Sequence, residues 1–91
     1  MHAQAQDWWE EGRADLDAAR TLRQGRHFNN AVYLARQAVE KALKSCYPAL
    51  KEEMPPLSHG LRTMARELFE GVPRNIWSVL SNLDGEYTAT R

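Results

Sequence analysis

The sequence predicts an all-α fold, an up-down antiparallel bundle of four helices with room for a fifth. Three observations carry this. Between Phe28 and Cys46, apolar residues return in alternating steps of four and three through Val32, Ala35, Val39 and Ala42, which draws one broad stripe along a helix. Only the few residues around Gly25 to His27 separate this segment from an amphipathic one before it. A connection that short folds two helices into an antiparallel hairpin. Nowhere does the chain alternate at period two, the mark of a half-buried strand.

Taken in order, Met1 to Gln6 has no periodicity and is expected to fray. Asp7 followed by Glu10 reads as a capping box. The first helix is therefore expected from there to Arg23 or Gln24, with Trp8, Gly12, Leu16, Ala19 and Leu22 inward and Trp9 beside them. Its early aspartates and late arginines suit the helix dipole, and Gly25 is expected to stop it. The second helix is the central one. Ala31, Ala38 and Leu43 flank its stripe, while Asn30, Gln37, Lys41 and Lys44 lie on the opposite side. Pro48 ends or kinks it just after Tyr47, and residues 48–57 make a proline-containing loop. Ser58 is placed to cap a third helix faced by Leu61, Met64, Ala65, Leu68 and Phe69, with Gly71 ending it. Pro73 suits the first turn of a fourth. Ile76, Trp77, Leu80 and Leu83 supply that helix's face, and Asp84-Gly85 reads as its end.

A chain of 91 residues is expected to form a single domain, burying roughly 60–65% of its unfolded surface. Twelve acidic residues balance twelve lysines and arginines, so no net field gathers nucleic acid. Two local basic clusters remain, Arg20, Arg23 and Arg26 with His27, and Lys41, Lys44 and Lys51; a solvated face is the plain reading of each. The single Cys46 cannot form an internal disulfide, and on the apolar stripe it reads as a small hydrophobe. Without a disulfide framework or a recognisable leader, a cytoplasmic location is expected. No apolar run approaches the ~20 residues of a membrane span, so no membrane association is expected.

No HExxH, CxxC or ExxH pair is present, nor a glycine-rich phosphate loop or a GxSxG elbow. No metal, no cofactor and no familiar nucleophile is therefore expected. The polar face of the second helix is more informative. Glu40 and Lys44 form a favourable i,i+4 pair, which is helix support. Gln37 and Asn30 are not the best helix formers for that row. Amides beside lysines read a base and a phosphate, or pair across a subunit interface. His59, next to Ser58, is either a first-turn residue bonded to a carbonyl or a ligand or proton-transfer group at the rim of the bundle. His27 reads as part of the end of the first helix.

These residues together resemble the HEPN family of small helical domains. Its early helix, W-x-x-x-A-x-x-D-L-x-x-A, is matched by Trp8, Gly12, Asp15-Leu16 and Ala19. Its aromatic, Asn-x-A-x-x-x-A-x-Q-A-x-E-K-x-x-K run is matched by Phe28-Asn29-Asn30-Ala31, Ala35, Gln37-Ala38, Glu40-Lys41 and Lys44. S/T-H-x-L after a proline-containing loop is matched by Ser58-His59-Gly60-Leu61, and L-D-x-x-Y-x-x-T/S-R by Leu83-Asp84, Tyr87, Thr90 and Arg91. The resemblance implies a four- to five-helix bundle that commonly dimerises and is often encoded beside a minimal nucleotidyltransferase. It also implies a link to nucleotides and, in many branches, to metal-independent RNA cleavage by toxins. Those ribonucleases share an arginine and a histidine with four to six residues between them on a late helix. Arg20 and His27 fit that spacing but straddle the first turn, and Arg91 has no histidine after it. The sequence ends at Arg91, where the resemblance implies a following Tyr-Pro and often more helix.

The reading placed first is a nucleotide- or RNA-binding module acting with a nucleotidyltransferase in a toxin–antitoxin-like pair. Its expected contacts are Asn30, Gln37, Lys41, Lys44, His59, Tyr87 and Arg91. Second is a homodimeric interaction protein presenting Trp9, Tyr33, Leu34 and Trp77. Third is a ribonuclease, for which His59 and Arg91 are the catalytic candidates; the missing late-helix motif weighs against enzymatic activity.

Overall fold

The computed structural model describes residues 3–57 and 59–89, the side chains of 85–89 excepted. It shows the all-α bundle that the periodicity predicts, with no strand among the described residues. The first helix, α1 (Ala3–Gln24), starts before the Asp7–Glu10 pair, which therefore lies within the helix and is not its cap. Ala3 to Gln6 are good helix formers, and Ala5 is fully buried; that contact carries the helix through the segment expected to fray. Gln24 ends α1 as expected, but the left-handed residue is Arg26, at φ 63°, and not Gly25. The His27 N–H donates to the Leu22 carbonyl at 2.8 Å and the Arg26 N–H to that of Arg23 at 3.0 Å. This is a Schellman ending with a non-glycine residue in its left-handed position, a conformation costing roughly 1–2 kcal/mol.

The second helix, α2 (Phe28–Cys46), packs against every other helix. Toward α1 its most buried line is Ala31, Ala38 and Ser45, seven residues apart. The predicted stripe is rotated away from this line: Val32, Ala35, Val39, Ala42 and Cys46 are half-buried, and Phe28 is 58% exposed. The cause is the closeness of the two helices. A Cβ on Gly12 would lie 3.0 Å from the Ala38 carbonyl oxygen, so only small residues fit along the contact and the larger ones are turned aside.

On another side, α2 sends Leu43 into a cluster with Tyr47, Leu61, Met64, Ala65 and Leu80, ringed by Val39, Leu68, Val72, Trp77 and Leu83. Pro48 ends the α-helix where expected but does not release the chain. A π-helical turn over Tyr47–Lys51 carries Pro48 in its first turn, where a missing N–H loses nothing. Glu52, at φ 55°, closes it. Helix α3 (Leu61–Leu68) stops three residues before Gly71, with Phe69 already extended.

Helix α4 (Arg74–Ala89) begins right after Pro73, whose carbonyl accepts the Trp77 N–H at 2.9 Å. It runs through Asp84-Gly85 and does not end there. The buried Asp84 is an acceptor for another helix. Its carboxylate takes the backbone N–H of Leu61 at 2.9 Å and of Arg62 at 3.0 Å, and the Arg62 Nε–H at 3.2 Å. Asp84 thus fills the capping role expected of Ser58, which lies outside the described residues; Gly60 at the N-cap supplies no side chain of its own. Among the described residues α1 and α4 both pack on α2 without packing on each other. That arrangement leaves a cleft over α2, walled by Leu16 and Ala19 on one side and Leu83 on the other.

Candidate functional site

The polar edge of α2 is positioned by the helical repeat that sets its buried faces. Asn30 is exposed, and Gln37, Lys41 and Lys44 are half-buried. Lys41 leans toward α1: its Nζ lies 2.7 Å from Asp15 Oδ2 and 3.6 Å from Glu11 Oε2. The Asp15 hydrogen bond outweighs partial burial and holds the Lys41 ammonium above its usual range. Lys44 reaches Glu40 Oε1 at 3.6 Å, the pairing expected from the sequence, while Arg36 Nη1 takes the other oxygen at 3.4 Å. The cations of this edge are therefore already engaged with carboxylates, and a phosphate has to compete for them.

His59 lies elsewhere, in the segment before α3. Its Nδ1 is 3.2 Å from Glu67 Oε1, which also accepts a hydrogen bond from the Tyr47 hydroxyl. Glu67 is held below the ordinary carboxylate range, by the Tyr47 bond first and then by His59, against some desolvation. Burial first, and then Glu67, push the Tyr47 phenol well above its usual range. Tyr47 therefore stays neutral and donates. His59 is bonded to a carboxylate rather than to the carbonyl expected of a plain first-turn residue. The arrangement fixes one ring nitrogen and the ring plane, as in carboxylate–histidine pairs generally.

Asp84 belongs to the frame rather than to this surface. Burial works to raise its pKa, but the two backbone N–H groups and the Arg62 guanidinium outweigh it and leave the carboxyl below its ordinary value. Cys46 is half-buried, with its thiol directed at the Ala42 carbonyl at 3.4 Å and its pKa pushed up by burial, the opposite of an activated thiol. No group of histidine, cysteine and carboxylate side chains suited to a metal ion occurs among the described residues. The side chain of Tyr87 and the whole of Arg91 lie outside them.

Sequence reasoning missed Arg36, which is only 6% exposed. A signal was there, because Val32, Leu43 and Tyr47 fall on the same side of the helix at offsets of four, seven and eleven. It also missed Glu67, whose importance comes from partners 8 and 20 residues away.

A helical domain whose long hairpin is closed by small residues, and whose third helix is capped from the fourth, is the class this geometry defines. The family model for the HEPN domain matches residues 5–91. The chain belongs to the HEPN family. No curated protein and no solved structure matches it. The bundle gives two of the family-like segments a shared physical meaning: Leu83-Asp84 and His59-Gly60-Leu61 meet where Asp84 caps α3. The Asp84 oxygen sits 3.3 Å from where a Gly60 Cβ would be.

Proposed function

We propose that this HEPN domain is a nucleotide- or RNA-binding module of the cytoplasm, acting with a nucleotidyltransferase partner in a toxin–antitoxin-like system. The observation that carries the reading is the edge of α2 on which Asn30, Gln37 and Lys44 recur every seven residues within reach of solvent. In this proposal the amides take polar base edges, Lys44, Lys41, His59 and Arg91 take phosphate, and Tyr87 supplies a stacking ring. Lys41 contributes least, since it must first leave Asp15. No helix among the described residues is long and apolar enough to cross a membrane.

A ligand that binds the folded state raises its stability by mass action. A thermal melt with a panel of nucleotides at millimolar concentration is expected to move upward; no shift with any of them removes the reading. The partner is tested separately, by whether the neighbouring gene encodes a nucleotidyltransferase that co-sediments with this protein.

A second reading, a homodimeric interaction protein, is favoured by Trp9 and Tyr33, which stay 47% and 63% exposed. Aromatic residues are enriched in interface cores. Trp77 and Leu34, expected with them, are half-buried, and Arg66 lies over the Trp77 ring at 4.7 Å. In this reading Gln37→Ala or Lys44→Ala changes sedimentation and leaves any nucleotide response unaltered.

A further inference from the structure

The basic cluster at the hairpin turn has no part in the site on α2. Arg20 and Arg23, one turn apart on α1, stand at the mouth of the cleft between α1 and α4, with Phe28 at its rim. The cleft has a volume of about 410 Å³ and is walled by Leu16, Ala19, Val32, Ala35 and Leu83. That size lies in the range of small-ligand sites, which are concave, mostly apolar and supplied with a few convergent polar groups.

Three features select the ligand. The walls are apolar and Phe28, at the first position of α2, is 58% exposed, so a flat ring gains contact on entering. The Arg23 side chain makes no hydrogen bond or ion pair among the described residues, and Arg20 has only Asp17, at 3.7 Å with both side chains mostly in water. These guanidiniums are free to turn toward an anion, whereas Lys41, Lys44 and Arg36 are committed to carboxylates. Guanidinium forks match phosphate oxygens in pairs, and among the described residues Asp17 is the one carboxylate that a phosphate displaces.

We propose that this cleft is a nucleotide subsite, with the base against Phe28 and the apolar wall and the phosphate on Arg20 and Arg23. The proposal rests on the nucleotide- or RNA-binding reading and moves its main phosphate contact from the lysines of α2 to the arginines of α1. The nucleotide comes either free or as one unit of a single strand of RNA.

Calorimetric titrations of the whole chain with ATP, with AMP, with inorganic phosphate and with a short single-stranded RNA test it. Binding of AMP or ATP identifies a free nucleotide as the source, and binding of RNA alone identifies a strand; either supports the subsite when the variants agree. Arg20→Gln with Arg23→Gln, and separately Phe28→Ala, are expected to weaken binding at least tenfold, with Arg74→Gln, at the exposed start of α4, within twofold of wild type. All these positions reach solvent, and melts overlaying the wild type establish that the variants fold. Amide shift mapping on the wild type supplies an arm independent of substitution: ligand shifts are expected between Leu16 and Arg23 and between Phe28 and Ala35.

Affinity lost in Lys44→Gln but kept in the double arginine variant, with shifts centred on Gln37 and Lys44, overturns the subsite and leaves the general reading standing. Failure of every nucleotide and of RNA to bind removes both. A wild-type dimer that Phe28→Ala converts to monomer with no change in nucleotide affinity overturns the proposal in favour of a second copy covering the cleft.

Discussion

Toward α3 and α4, the chain buries large side chains: Leu43, Tyr47, Leu61, Met64 and Leu80 meet, with Leu61 and Met64 fully enclosed. Toward α1, α2 buries small ones, Ala31, Ala38 and Ser45 against Gly12 and Ala19. The first region is held by apolar area and by one buried carboxylate that starts a helix. The second is held by close backbone approach, flanked by the Lys41–Asp15–Glu11 group. The difference explains where the exposed apolar residues are. Side chains too large for the tight contact, Leu16 and Phe28 among them, are displaced to the cleft beside it. Close packing on one line thus creates an opening on the next.

Substitutions that strike one region and spare the other sharpen this contrast. The largest effect is expected at Leu61→Ala, which leaves a cavity in the fully enclosed part of the core and costs roughly 2–5 kcal/mol in chemical denaturation. A cost under about 1 kcal/mol would mean that this core is loosely packed. Next is Asp84→Ala, expected to cost about 3 kcal/mol through two backbone donors and the Arg62 guanidinium losing an acceptor.

That contribution depends on pH. The Asp84 carboxyl is held below 3.8, its ordinary value, so the unfolded chain takes up the proton first as acid is added. The stabilisation is complete above about pH 4 and is lost as pH falls through the folded-state value. The stability gap between wild type and Asp84→Ala should therefore narrow from neutral pH to about pH 2. A gap that stays constant would show that Asp84 acts through shape and not charge.

In the hairpin, Gly12→Val is expected to cost about 2 kcal/mol by pushing Ala38 away, more than any helix-propensity gain returns. If it stabilises instead, the two helices are not held at contact distance. The smallest effect is the coupling between Lys41 and Asp15. A double-mutant cycle with alanine at each should give about 0.5–1 kcal/mol, screened in part by salt.

Much of the architecture was legible because it is written in local spacing. The 3.6-residue period exposed the helices, and three residues from Gly25 to His27 leave no topology but a hairpin. The rotation of α2 was not legible, because whether Ala38 or Val39 is more deeply buried depends on Gly12 of another helix. Neither was the role of Asp84, which reads as a helix end until its carboxylate is seen 23 residues back along the chain, at Leu61. For the candidate site, the polar edge of α2 and His59 could be named from residue type and position. Their partners could not, since Asp15 lies 26 residues from Lys41 and Glu67 eight from His59. The cluster Arg20, Arg23, Arg26 and His27 was visible as charge alone; the concavity beside it arises only once α4 is laid across α2.

Helix α3 has eight residues, too few to persist in water by itself, because starting a helical turn is costly and so short a segment cannot recover the cost. The group that makes its start favourable is delivered by α4. Neither the short helix nor that delivery exists until the segment between them has looped back, so the second half of the chain should order in one step. Amide protons of Leu61 and Arg62 would then exchange at the rate of the whole half, and not at the rate of a helix end.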